Sequence, residues 1–397
     1  MAEPRRRFLQ LDPVILALGF VSLFNDIASE MIYPLLPAFL AVTLGAGPAA
    51  VGVVEGFAEA TASLGKGLFG WLSDRKTRRK PFVEAGYAAS VFARPLLSLA
   101  PGWGAVLGIR FLDRIGKGIR TAPRDSMIAA AAEPARRGIA YGFDRAMDNA
   151  GAMIGPLIAA LLLKLAFTGV RPVFALSLVP GVIALLLLRF GAREKASPVA
   201  PKERRLEIRR GAFSGRFLFL VGIFAVFGLA SSTDAFLLLR AQQCGIPLWE
   251  VPLLWAAFNG VKAAASTPLG SLADRIGRIP SILLGWGVYA GSYFGFALAR
   301  TPSAAWTLFL TYALFYALTE GPERALVAGM SEEGGRGRAF GLFHMTQGIA
   351  ALPASVIFGL LWKSFGPRVA FEAGAAVAAA AALLLVVFAM GHSREGK

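Results

Sequence analysis

An all-α integral membrane fold, with twelve spanning helices in two related bundles of six, is predicted by three features of the sequence. The composition is 56% hydrophobic and only 17% charged over 397 residues, too little polar surface to solvate two or three soluble domains. Apolar runs of roughly 20 residues, each enough for a helix to cross about 30 Å of hydrocarbon, follow one another along the chain. The chain also repeats itself. Gly70-Trp71-Leu72-Ser73-Asp74-Arg75 closes one run, and Gly270-Ser271-Leu272-Ala273-Asp274-Arg275 closes another 200 positions later, a self-similarity that marks a duplicated unit.

The first six runs lie near 12–40, 47–69, 81–100, 104–124, 139–164 and 172–190. The second six lie near 214–239, 249–270, 279–300, 304–326, 338–363 and 367–390. The first run follows Arg5–Arg7 with no small-residue cleavage site, so it reads as a retained helix and not a signal peptide. The second and eighth each end on a glycine turn, a carboxylate and a basic cluster. The fifth contains Gly151, Gly155 and Pro156, which allow close helix approach and a bend. After the sixth, the segment Ala192–Arg210, rich in Lys, Arg, Glu and Pro, is the clear linker. The expected organisation is a first bundle over 1–190, a linker over 191–213 and a second bundle over 214–397.

Charge placement gives the orientation, because Lys and Arg near helix ends stay in the cytoplasm. Arg5–Arg7, the Arg75–Lys80 cluster, Arg136-Arg137, the run Arg189–Arg216, Arg275 with Arg278, and Arg336 with Arg338 fall on one side of the alternation. The other side has only scattered cations, such as Lys164, Arg171, Arg300, Lys363 and Arg368. Both termini are therefore expected in the cytoplasm, with the chain multi-pass in the plasma (inner) membrane and the lipid bilayer as its solvent. A positive-inside membrane protein accounts for the net charge of +16 without nucleic acid, which is not expected as a partner. Cys244 is the one cysteine, so no internal disulfide forms.

These residues resemble the major facilitator superfamily over the whole chain. The family's cytoplasmic Gly-x-Leu-Ala-Asp-Arg-x-Gly-Arg-Lys pattern is matched by Gly70, Leu72, Asp74, Arg75, Arg78 and Arg79, with Thr77 in place of glycine, and again by Gly270, Leu272, Asp274, Arg275, Gly277 and Arg278. The stretch Arg114–Ala122 is similar to the helix-4 motif associated in the family with proton coupling. Gly151-Ala152-Met153-Ile154-Gly155-Pro156 is similar to the helix-5 antiporter motif, although Ala159-Ala160 stands where the fuller pattern has a glycine pair. Pro34-Leu35-Leu36-Pro37 fits the drug-exporter branch. The resemblance implies that helices 1, 4, 7 and 10 line a central cavity. It also implies a cytoplasmic gate: Asp74 against the start of helix 11, and Arg75 and Arg78 against an acid near the end of helix 4, locally Asp125, with Gly270, Asp274 and Arg275 as the second copy.

A charge at mid-bilayer costs roughly 2.5–3.5 kcal/mol on insertion scales, so each must face a cavity, find a partner or titrate. Asp26 and Glu30, Glu55 and Glu59, and Asp144 and Asp148 are each four apart, and Glu320 and Glu323 three apart, spacings that put each pair on one helix face. Arg110, Asp113, Arg114 and Lys117 form one stripe that cannot face lipid. Proton coupling needs a carboxylate whose environment alternates between dry and solvated or cation-paired. Asp26, Glu30 and Asp113 beside Arg114 are the leading candidates, with Asp234 next. Asp113 with Arg110, and Asp144 with Arg145, are equally readable as static ion pairs. The expected cavity residues are Asn25, Tyr33, Glu59, Arg110, Lys117, Asp144, Asp148, Asn259, Lys262, Tyr312, Tyr316 and Glu320. Their mixed signs suit an amphipathic organic compound or a zwitterion. Glu59 aligns with Asn259, so the halves differ in polarity at matching depth, and His344 reads as a structural hydrogen-bonder.

The expected function is secondary active transport of a small molecule by alternating access. Proton-driven export comes first and proton-coupled import of a metabolite second, with protons and substrate as partners of a monomer. An enzyme is not expected, since there are only two histidines and no His-Glu-x-x-His or Gly-x-Ser-x-Gly motif. A channel would need a repeated filter or a ring of charge. No cofactor, nucleotide or obligatory metal is expected.

Overall fold

The computed structural model describes residues 11–74, 78–133, 136–166, 169–192, 194, 213–331 and 336–395, and among them every regular element is helical. The first half comprises α1 (Pro13–Thr43), α2 (Gly47–Asp74), α3 (Lys80–Ala93, prolonged by a 3-10 segment Arg94–Leu99), α4 (Trp103–Ala131), α5 (Arg137–Leu165) and α6 (Val170–Gly191). The second comprises α7 (Gly215–Gln243), α8 (Val251–Ile276), α9 (Arg278–Leu298) and α10 (Pro302–Gly329). The last helical stretch, Arg336–Glu395, is interrupted at Gly366, φ 87° and ψ 169°, which divides it into α11 (336–365) and α12 (367–395). Only glycine adopts that backbone without strain. These elements are compatible with the twelve expected spans.

Local sequence explains the helix starts. Asp12 Oδ1 accepts from Val14 N at 2.9 Å with Pro13 at the first helical position, and Thr301 Oγ1 accepts from Ala304 N at 3.3 Å ahead of Pro302. The ends correct the sequence reading. Gly70 and Gly270 lie inside α2 and α8 and form no turn; α8 continues to Ile276 and stops at Gly277, φ 95°. Charged residues do not end a helix, whereas a positive φ does. Helices α2, α4 and α8 run several residues past their apolar stretches.

Six stretches among the described residues are long and apolar enough to cross a bilayer unaided: α1, α5, α6, α7, α9 and 338–390. Helices α2, α4, α8 and α10 have 28, 29, 26 and 28 residues but carry ionisable side chains along their length. Those charges need company inside the protein.

By packing, the chain separates into two compact units, Met1–Leu35 with Thr61–Arg205, and Leu36–Ala60 with Leu206–Lys397. In the second unit the first half of α2 lies directly on α11. A Cβ on Gly56 would stand 3.1 Å from Leu352 O, and one on Gly359 would stand 2.8 Å from Pro48 O. Residues 36–60 thus pack with the second half of the chain.

Each half of the sequence opens with a broken helix. Helix α1 leaves α geometry after Glu30 and passes through a 3-10 turn, Tyr33–Leu35. Helix α7 is unwound over 231–233 and resumes at Ala235. Freed backbone groups in α7 are met from inside the unit: Tyr289 Oη donates to Ala230 O at 2.8 Å, and Thr233 N donates to Ser355 Oγ at 3.3 Å. Unwound backbone at membrane depth needs such partners.

Each unit also carries an arginine over the carbonyl end of its third helix. Arg171 donates to Ser98 O (2.6 Å) and Ala100 O (3.0 Å) beyond α3, and Arg240 donates to Phe296 O (3.1 Å) and Ala299 O (2.7 Å) at the end of α9. Cations favour a helix C-terminus, where carbonyls are unpaired.

Candidate functional site: two ionisable centres

In the first unit the α4 stripe lies on the more buried face of its helix. Arg110 and Asp113 are buried, and Arg114 and Lys117 half-buried, while Phe111 and Leu112 on the opposite face are exposed. The centre of the cluster is Asp113. Arg94 Nε lies 3.0 Å from its Oδ1, Arg110 Nη1 3.4 Å and Arg114 Nε 3.7 Å from its Oδ2. The Asp113–Arg110 pair expected from spacing is thus present, with two more guanidiniums added. Arg94 Nη1 also donates to Asn25 O (3.1 Å) and Asn25 Oδ1 (3.0 Å), and Asn25 Nδ2 donates to Asp26 Oδ1 at 2.9 Å. Asn25 is the buried link between the guanidiniums and Asp26. Lys117, Arg120, Glu30 and Asp148 are within electrostatic reach of Asp26. Glu30 and Tyr33 are half-buried at the break in α1.

Asp144 and Asp148, expected toward the cavity, are engaged by Arg124. Its Nη2 donates to Asp144 Oδ2 at 3.0 Å and its Nη1 lies 3.8 Å from Asp148 Oδ1. Ser22 Oγ accepts from Arg124 and donates to Asp148, and Tyr87 Oη accepts from Arg124 at 3.4 Å. In place of the static pair Asp144–Arg145, Arg145 Nη1 lies 3.6 Å from Asp148 Oδ2, one helical turn away. Adjacent residues on a helix point about 100° apart, so i and i+3 meet where i and i+1 do not.

The second unit builds its centre on the break in α7. Tyr312 Oη donates to Asp234 Oδ1 at 2.7 Å, and Tyr316 Oη to Asp234 Oδ2 at 2.9 Å. The two tyrosines are four apart on α10, hence on one face. Lys262 Nζ sits 5.1 Å from the Tyr316 ring centroid, a cation–π distance, and with Glu59 it is within electrostatic reach of Asp234. Phe258 stacks near Tyr312 at 5.9 Å between centroids. Asn259 is buried with its amide bonded to Trp255 O of its own helix at 3.0 Å.

Two same-face pairs divide in burial. Glu55 is buried and Glu59 exposed, and Glu323 is buried while Glu320 is exposed. One turn of helix advances about 5.4 Å, enough to pass from a packed layer to an open one. Among the gate residues, Arg75 and the surroundings of Gly70 and Asp74 lie outside the described residues. Arg78, Asp274 and Arg275 are exposed, Asp125 pairs with Arg124 at 3.7 Å, and Gly270 has open space around its Cα. In α5, Gly151 and Gly155 are tight: a Cβ there would stand 2.7 Å from Leu23 O or 2.6 Å from Ile27 O of α1. Pro156 is buried in the same crossing. His344 is exposed beside Phe343. No group of three or more potential metal ligands occurs among the described residues.

Sequence reasoning missed Arg94 and Arg124, and it gave no site role to Arg120, noted only within the helix-4 motif, or to Glu323, noted only as the same-face partner of Glu320. Arg124 was legible, since 110, 117 and 124 keep a seven-residue step along one face. Arg94 carried a weaker signal, a cation in the middle of the third apolar run. Arg120 Nη1 donates to Ser90 Oγ at 2.6 Å and stacks 4.6 Å from the Tyr87 ring centroid, contacts with α3 that spacing within α4 does not reveal.

A sequence profile of the Major Facilitator Superfamily matches residues 18–323. An uncharacterised MFS-type transporter of Methanocaldococcus jannaschii is 34% identical over 385 residues, covering 95% of each chain. The fosmidomycin resistance protein of Escherichia coli is 25% identical over 352 residues, covering 86% of this chain and 84% of the relative. Among solved structures, the nucleoside transporter NupG superposes with a TM-score of 0.80 at 12% identity, over 94% of this chain and 99% of that one. That likeness shows the fold alone.

Proposed function

Because the chain belongs to the Major Facilitator Superfamily, and is thus a multi-pass membrane transporter and not an enzyme, we propose that it exports small amphipathic organic compounds in exchange for protons by alternating access. The observation that carries this reading is the matched placement of ionisable centres. In each unit a carboxylate on the broken first helix, Asp26 or Asp234, is linked to the fourth helix, through Asn25, Arg94 and Asp113 in one case and through Tyr312 and Tyr316 in the other. A break beside a carboxylate is where water, proton and ligand gain access to backbone and side chain alike.

Asp26, Glu30 and Asp234 are the exchangeable carboxylates in this reading. Asp113 acts as the fixed counter-ion that holds Arg94, Arg110 and Arg114 in place. In the second unit Glu59, Lys262, Tyr316 and Glu320 contact the substrate, whose aromatic and charged portions suit the Lys262–Tyr316 pair. The Asp74–Arg78 and Asp274–Arg275 segments gate the cytoplasmic side, and the close α1–α5 crossing at Gly151 and Gly155 prevents a proton leak. The protein works as a monomer in the plasma membrane with both termini in the cytoplasm. The relative named for fosmidomycin resistance supports export and supplies the first compound to try.

Inside-out vesicles with an acidified lumen test the proposal. They are expected to accumulate fosmidomycin or another amphipath of a screened panel while the lumen alkalinises. Accumulation that persists unchanged after the proton gradient is collapsed rules out the coupling, and uptake only in right-side-out vesicles reverses the direction.

A further inference from the structure

The duplication has an interior register of 199 residues, visible where the helices cross. A Cβ on Gly86 of α3 would stand 2.8 Å from Arg120 Cβ of α4; on α9, a Cβ on Gly285 would collide with Thr319 of α10. Pro123 within α4 and Pro322 within α10 keep the same register. At this register Tyr87, Arg124 and Asp148 correspond to Trp286, Glu323 and Gln347. One three-position site therefore occurs twice, with a cation at its centre in the first unit and a carboxylic acid in the second.

The two copies differ in what they can do. Arg124 is locked, with Asp144, Asp148, Ser22 and Tyr87 all around it. Glu323 has no such partners. It is 9% exposed, and the groups facing it are the Trp286 indole from α9 and the Gln347 amide from α11. The carboxylate Asp144 has become Phe343 at this register. Trp286 is fully buried, clamped by a stacked Phe227 ring at 4.2 Å, and its N–H lacks a well-formed hydrogen bond. The charged groups acting on Glu323 are Glu320 and Arg324 of its own helix, both exposed. Nearby, Arg278 of α9 is occupied with Ala325 O at 2.9 Å, and His344, one turn before Gln347 on α11, is exposed.

We propose that Glu323 is a proton-binding site of the second unit, separate from the centre at Asp234. The inference rests on the proton-coupled reading above. A glutamine amide turns to offer either its carbonyl to an acid O–H or its NH2 to a carboxylate, so Gln347 satisfies Glu323 in both protonation states. The indole N–H, held rigid by Phe227, is a donor waiting for the ionised form. On ionisation the O–H bond breaks, the proton passes to water, and Gln347 and Trp286 both donate to the carboxylate; uptake reverses each step. No oxidant or further ion is required. An indole and an amide around the carboxyl separate this site chemically from the tyrosine-lined centre.

Infrared difference spectroscopy across a pH change, on the purified full-length protein without ligand, reads the site directly. The wild type and Asp234→Asn are expected to show a carboxylic-acid carbonyl band that disappears on ionisation, and Glu323→Gln to lose it. Trp286→Phe, which removes the waiting donor but keeps the Phe227 stack, is expected to shift the same band, and this arm stands if Glu323→Gln fails to fold. Bands that titrate in the wild type and survive unchanged in Glu323→Gln and Trp286→Phe overturn the proposal and leave proton coupling elsewhere intact. No titrating carboxylic band in the wild type overturns both.

Discussion

At the scale of single residues, the ionisable groups fall into those that are locked and those that can change partners. Arg124 is the most thoroughly locked, with contacts to two aspartates, a serine and a tyrosine. Removing one member of a buried charged network leaves the others uncompensated, at a cost of about 3–5 kcal/mol. Arg124→Ala is therefore expected to lower the melting temperature of the purified protein sharply, and the Arg124→Ala, Asp144→Ala pair to cost less than the sum of its single changes. Equal costs in a double-mutant cycle would show that the two do not interact. Tyr312→Phe removes a hydrogen bond to Asp234, worth about 1.5–3 kcal/mol for a charged acceptor. It is expected to alter the pH dependence of transport more than Asn259→Ala does, because Asn259 is turned toward its own helix. Transport pH profiles that change equally in both variants would remove Asp234 from the coupling assignment.

At the scale of elements, period and hydropathy located the helices because the apolar stretch a bilayer requires is long and repeats. Their ends were harder to place. Gly70 and Gly270 looked like turns, yet the chain stops only where backbone geometry changes, at Gly277 in the second copy. The α4 stripe at 110, 113, 114 and 117 was legible because helical spacing alone defines a face. Arg94 and Gln347 were not, since their partners come from other helices and no spacing within one segment encodes that. The glycines of α5 give the sharpest test at this scale. Gly155→Val is expected to destabilise by about 1–3 kcal/mol through overpacking against Ile27, whereas Gly142→Ala, with open space around it, is expected to be neutral or slightly stabilising in the same thermal melts.

For the whole molecule, the duplication explains both what is shared and what has diverged. The crossings at Gly86 and Gly285, the broken first helices and the arginines over α3 and α9 are shared; the charges at 124 and 323 are not. The single native cysteine makes the proposed topology directly measurable. In a Cys244→Ser background, a cysteine placed at Ala46 is expected to react with an impermeant thiol reagent from outside the cell, and one placed at Ala200 only after permeabilisation. The opposite labelling pattern would invert the orientation. Arg171 and Arg240 then acquire a meaning beyond stability. A guanidinium whose donors are committed to carbonyl groups keeps its full charge but has fewer N–H groups left for lipid phosphates, so in the proposed topology these two cations bind headgroups weakly. Alanine at either position should loosen a helix end by about 1–2 kcal/mol while leaving the labelling pattern as it was, since the task of these arginines is to close a helix and not to orient one.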